Sequence, residues 1–219
     1  MLTLQQQLND ATNGTGWEKG ITRNGKIIDW KRCIYLECAE LIESYPWKHW
    51  KNIDAAPDKE NIKIETVDIW HFIMSQLLQE YKIEQRGDID ALAESIELLP
   101  NYQAFTRESD RKTRDNYEQI AIVEKLIRVL FCGESSEALM IAFIDVAIQS
   151  GLTLDTLYRL YVGKNILNQF RQDHGYKEGN YIKIWNGEED NVVMQRFLDE
   201  NPDISPNALY RALEANYPG

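Results

Sequence analysis

Glu37 and Glu40 in the run Glu-Cys-Ala-Glu, and Glu65 and Asp68 in Glu-Thr-Val-Asp, form two acidic pairs with the same spacing. Residues i and i+3 of a helix share a face, so each pair aims both carboxylates at one point. The first pair sits among Ile34, Leu36, Leu41 and Ile42, the second among Ile62, Ile64, Val67, Ile69, Trp70, Phe72 and Ile73. Carboxylates in such surroundings are costly unless paired or bound to metal, and two facing pairs repel one another. Magnesium answers both difficulties, because it is a hard ion that takes oxygen ligands and keeps several waters, so a few carboxylates plus a polyphosphate make a suitable site. A single acidic pair on a helix is commonplace, glutamate being a good helix former. Two on consecutive apolar helices point to a metal site.

A second set of reactive side chains runs from Lys164 to Asn191. It carries Lys164, Asn168, Arg171, Tyr176, Lys177, Lys183 and Asn191, with Gly175, Gly179 and Gly187 between them. Arginine and lysine neutralise phosphate oxygens, asparagine adds neutral hydrogen bonds, and glycine lets backbone approach a ligand closely. The pattern reads as a phosphate clamp facing a metal. A plain helix followed by a solvated polar loop would look similar.

The elements that must hold these groups are helical. Apolar residues recur three and four apart over 30–45, 62–83, 117–131, 137–149 and 153–170, and glycine or proline punctuates the gaps. The expected fold class is all-α, a helical bundle in a single domain over 1–219. Residues 100–116 are polar and without period, which predicts a long exposed loop or insertion. The tail, 192–219, predicts one or two short helices around Pro202 and Pro206, with no assigned function. His71, beside Phe72 on an apolar helix, reads as a core residue, and the apolar face of 137–149 as core or dimer interface.

Composition bounds the function. The 219 residues are 43% hydrophobic and 27% charged, which suits a globular chain able to bury a sizeable core. The net charge of −11 disfavours nucleic acid as a partner. No apolar run approaches membrane-spanning length, and the N-terminal run does not resemble a secretion signal. Cys33, Cys38 and Cys132 have no metal-ligand spacing and are odd in number, so reduced thiols and a cytoplasmic location are expected. No Ser-His-Asp or Cys-His arrangement stands out.

Gln6, Asn9 and Asn13 in Leu-Gln-Gln-Gln-Leu-Asn-Asp-Ala-Thr-Asn-Gly, the run Trp47-Lys-His-Trp50-Lys, the acidic pairs and the Gly-Tyr-Lys to Glu-Glu-Asp-Asn block occur in order. Together they resemble the dimeric all-α dUTPases of the all-α nucleoside triphosphate pyrophosphatase superfamily. The likeness covers roughly 1–85 and 150–195, and 86–135 reads as a variable insertion. The resemblance implies a homodimeric hydrolase of nucleotide metabolism that converts dUTP and dUDP to dUMP by magnesium-assisted in-line attack of water. It implies metal ligands at Glu37, Glu40, Glu65 and Asp68, with Glu40 as the catalytic base. It also implies base contacts from Gln6, Asn9, Trp47, His49 and Trp50, and deoxyribose contacts from Phe72 and Asp68. Phosphate contacts would come from Asn168, Arg171, Tyr176, Lys177, Lys183 and Asn191. Two alternatives stay open: a related pyrophosphatase preferring another base such as that of dCTP, and a noncatalytic helical interaction protein.

Overall fold

The computed structural model describes residues 1–51, 55–107 and 114–219. Ten α-helices, one 3-10 turn (Trp17–Lys19) and one very short hairpin account for the regular structure of those residues. In chain order the helices are α1 (Leu2–Asn13), α2 (Trp30–Glu43), α3 (Lys59–Ile83), α4 (Ile89–Glu97) and α5 (Tyr102–Phe105). They continue with α6 (Asn116–Cys132), α7 (Ser136–Gln149), α8 (Leu154–Asp173), α9 (Asp190–Glu200) and α10 (Pro206–Asn216). The all-α expectation holds.

Local chemistry sets the boundaries. Asp29, Asp58, Asp88, Asp115, Ser135, Thr153 and Ser205 each accept a backbone N–H of the first turn that would otherwise lack a partner. Glu118 completes a reciprocal box with Asp115, and Gly133 ends α6 in the left-handed conformation. The hairpin pairs Ile184–Trp185 with Glu188–Glu189 through Asn186 and Gly187, both at positive φ (52° and 92°). Asn-Gly is the dipeptide that such a two-residue turn prefers.

The long helix α3 is the axis of the bundle, packed against α1, α2, α4, α7 and α8. It is therefore buried nearly all round, through Ile62, Val67, Ile69, Ile73, Met74 and Leu77. Opposite it, α2 buries Ile34, Cys38 and Leu41, spaced four and three apart on one face. Each fully buried aliphatic side chain contributes roughly 1.5–3 kcal/mol. That stabilisation tolerates a few costly polar groups in the interior. Among the described residues, no single helix is long and apolar enough to cross a membrane.

Two regions differ from the sequence expectations. Residues 102–105 form α5 instead of open loop, with Phe105 buried and the Asn101 amide donating to Ile141 O and Asp145 Oδ1. Aromatics at Tyr102 and Phe105 anchor a segment whose average polarity hides them; residues 108–113 of the expected loop lie outside the described residues. The stretch 86–135 adds Leu92, Leu99, Ile120, Val123, Leu126 and Leu130 to the same apolar core. Helix α1 escapes a hydrophobicity reading because its buried face is Leu2, Gln5 and Asn9.

Candidate active site

Glu37 on α2 and Glu65 and Asp68 on α3 each place a carboxylate oxygen within 4.8 Å of the others. The spacing on α3 puts Glu65 and Asp68 on one face, and the packing of α2 brings Glu37 to meet them. Burial pushes the Glu37 carboxyl up to about 8, with further rises from Asp68, Glu65 and Glu40 that Lys164 partly offsets. Burial likewise raises Glu65 to about 7, helped by Asp68 and Glu40 and opposed by Lys164 and a hydrogen bond from Asn61. Three hard oxygen donors sharing so little positive charge fit a divalent cation. Glu40 stands outside the group of three. It lies one turn along α2 on the exposed side, near enough for its charge to act on Glu37 and Glu65.

Across the cleft, α8 presents Lys164, Asn168 and Arg171, spaced four and three apart on one face. Lys164 is 3% exposed, and its ammonium donates to Asp68 Oδ2 at 2.8 Å and Asn191 Oδ1 at 2.9 Å. Arg171 donates through Nε and NH2 to both carboxylate oxygens of fully buried Asp190 at 2.8 Å, and to Asn168 and Asn191. Burial opposes both charges of that pair; their mutual bonds outweigh it, holding Asp190 below and Arg171 above its ordinary range. Tyr181 donates to Asp190 Oδ2 at 2.8 Å, which completes the support of the guanidinium.

The cleft has a volume of about 380 Å³. Glu37, Asp68, Phe72, Asn9, Asn168, Arg171 and Tyr176 all line it, as expected from the sequence. Phe72 packs against Trp30, at 6.1 Å between ring centroids, to form an aromatic wall. Lys177 donates to Thr12 O at 2.9 Å, tying the 175–191 loop to the end of α1 at the rim.

Other expected residues stand elsewhere. Gln6 turns away and donates to Asp10 and Glu18, while its neighbour Gln5 lines the cleft. One residue along a helix rotates the side chain by about 100°, enough to move it to another face. Trp47, His49 and Trp50 pack on one another outside the cleft lining among the described residues. Lys183 is half exposed and pairs with Glu189 at 3.4 Å. Sequence reasoning gave Lys164 a place in the phosphate clamp but overlooked Trp30 and Gln5 in the cleft and Asp190 behind Arg171, and His71 lines the cleft instead of serving the core alone. The Gln5–Asn9 spacing was a signal that could have found one of these.

A family model described as dUTPase matches residues 1–176, some four-fifths of the chain. The chain belongs to the dUTPase family. The activity that defines the family is hydrolysis of dUTP. The match includes the carboxylates, Asn9, Phe72, Lys164 and Arg171, whereas Lys177, Lys183, Asp190 and Asn191 lie beyond it. No curated protein matches the chain.

Proposed function

We propose that the chain hydrolyses dUTP, and dUDP, to dUMP with the help of magnesium held by Glu37, Glu65 and Asp68, with Glu40 at their outer edge. The supporting observation is the opposition of charge across one cleft: three carboxylates on α2 and α3, and on α8 the buried Lys164 and the part-buried Arg171. Magnesium bound there supplies positive charge to phosphate oxygens and makes water a better nucleophile. Glu40, exposed beside the cluster, takes the proton of the attacking water.

Lys164 and Arg171 receive phosphate oxygens, with Asn168 and Tyr176 beside them and Asn191 bridging the two cations from behind. Arg171, already oriented by Asp190, loses little entropy on meeting a phosphate. Phe72 and Trp30 pack against the deoxyribose, where a ring leaves no space for a 2′-hydroxyl. Asp68, at the boundary between carboxylates and wall, reaches the 3′-hydroxyl. Asn9 reads the base edge with Gln5 in the role expected of Gln6.

Base preference is the finer part of the reading. Because Trp47, His49 and Trp50 stand outside the cleft lining, uracil selection rests on α1. A pyrophosphate-release assay over dUTP, dCTP, dTTP and UTP, with magnesium and with chelator, tests it. The expected result is magnesium-dependent release with dUTP strongly preferred. Preference for another base would favour a relative of different specificity, and silence with every nucleotide would leave a noncatalytic helical protein.

A further inference from the structure

Gln5, Asn9, His71, Ser75 and Tyr161 form a hydrogen-bonded network at the floor of the cleft, each at most 4% exposed. Gln5, Asn9 and His71 line the cleft, whereas Ser75 and Tyr161 stand behind them. An Asn or Gln amide presents oxygen or nitrogen according to which way it is turned, so its orientation follows from its neighbours. Here one neighbour has fixed polarity. Ser75 Oγ lies 2.8 Å from the backbone carbonyl of His71 and 3.3 Å from Asn9 Oδ1; its single hydroxyl proton goes to the nearer acceptor, the His71 carbonyl, which can only accept.

The rest follows by elimination. With its proton used, Ser75 Oγ can only accept, so the Gln5 group 3.0 Å from it is the N–H donor; that same nitrogen lies 3.1 Å from Asn9, which must turn its oxygen to it, and Asn9 Nδ2 is then the donor 3.0 Å from Ser75 Oγ. Gln5 then has Nε2 toward Ser75 and Asn9 Oδ1, the latter at 3.1 Å, and Oε1 on its other side. That oxygen meets His71 Nδ1 at 2.8 Å, which therefore donates to it, and the Tyr161 hydroxyl at 3.2 Å, whose one proton it shares with Met1 O at the same distance. An Asn amide has two hydrogens and two lone pairs. With one hydrogen given to Ser75 and one lone pair to Gln5, Asn9 keeps one donor and one acceptor for a ligand.

A uracil edge offers N3–H beside a carbonyl, the complement of an amide oxygen beside an amide N–H. Cytosine offers unprotonated N3 beside an amino group, the complement of the same amide turned over. We propose that Ser75 is a positioning residue for base specificity: by fixing the turn of the Asn9 amide through hydrogen bonds, it selects uracil over cytosine without touching the nucleotide. This rests on the proposed reading of Asn9 as the base contact.

The test compares kcat/KM for dUTP and dCTP in the wild-type chain and in Ser75→Ala, Ser75→Cys and Ser75→Thr. The wild-type chain must prefer dUTP; failure there sinks the uracil reading itself, before Ser75 is questioned. Losing one fixed hydrogen-bond pair relaxes discrimination by about tenfold. The ratio is therefore expected to fall to that extent in Ser75→Ala and in Ser75→Cys, whose thiol is a weak acceptor. Ser75→Thr keeps the hydroxyl and the wild-type ratio. A merely structural role for Ser75 would lower both substrates in proportion and leave the ratio unchanged in the Ala and Cys variants. That outcome, or equal loss of the ratio in Ser75→Thr, would overturn the proposal. If Ser75→Ala does not fold, the Cys and Thr variants decide by the same ratio.

Discussion

Glu37 and Glu65 hold protons in the metal-free fold well above the ordinary carboxylate range, at about 8 and about 7 against a reference of 4.5. Between the reference value and these raised values the folded chain binds more protons than the unfolded chain. Folding is favoured by these two groups at low pH, and that contribution is lost as pH rises through about 7 to 8. A divalent cation must displace the protons and then relieves the repulsion between the carboxylates. The rise in melting temperature on adding magnesium should therefore be small near about pH 5.5 and large near about pH 8.5. Differential scanning fluorimetry at both pH values checks this, and an equal rise at both would separate the acids from metal binding. Glu40, exposed and outside the group of three, is expected to matter for turnover and not for folding. Glu40→Gln should lower kcat by about 10²-fold or more with an unchanged melting temperature; retained turnover would remove Glu40 from the chemistry.

Helix α8 carries the cationic side of the cleft, and its cations differ in how firmly they are held. On α8, Lys164 is buried between Asp68 and Asn191, whereas Lys183, outside that helix in the loop before α9, pairs with Glu189 at the surface. Lys164→Ala should raise KM for dUTP about tenfold or more, and Lys183→Ala by much less. The reverse order would mean that the loop, and not the helix, carries the phosphate. Asp190, at the start of α9, holds Arg171 by two bonds. Asp190→Asn leaves a buried guanidinium without its partner, so it should cost about 3 kcal/mol of stability and raise KM together, measurable by denaturant unfolding and steady-state kinetics. At this scale much was legible in sequence. The two acidic pairs, the boundaries of α2, α3, α6, α7 and α8, and the Asn168–Arg171 pair all follow from helical spacing and capping residues. Helix α1 was not, because its inward face is polar and only tertiary hydrogen bonds explain the burial of Gln5 and Asn9. The choice between Gln5 and Gln6 turned on helix rotation, and Asp190 declared its role only once the fold had laid it against Arg171.

Over the whole molecule, acidic and basic side chains are sorted onto opposite walls of one cleft despite a net charge of −11. The outer faces of α2 and α6 expose Tyr35 (43%), Leu36 (51%) and Phe131 (56%), with Tyr35 and Phe131 edge to face at 5.7 Å. Such a patch suits burial against a second copy, the homodimer expected from the family resemblance. Light scattering should give twice the 25.5 kDa chain mass, falling to one chain in a Tyr35→Glu, Phe131→Glu double variant; a single-chain mass for the wild type would discard the dimer.

Residues far apart in sequence back onto the same cleft. The Met1 carbonyl accepts the Gln5 backbone N–H and lies 3.2 Å from the Tyr161 hydroxyl, beneath the floor of the cleft. Tyr217 stacks on Tyr181 at 5.3 Å and accepts the backbone N–H of Ile182, behind the ring that steadies Asp190. Bulky labels or surface tethers placed near either position would pull on the walls of the cleft.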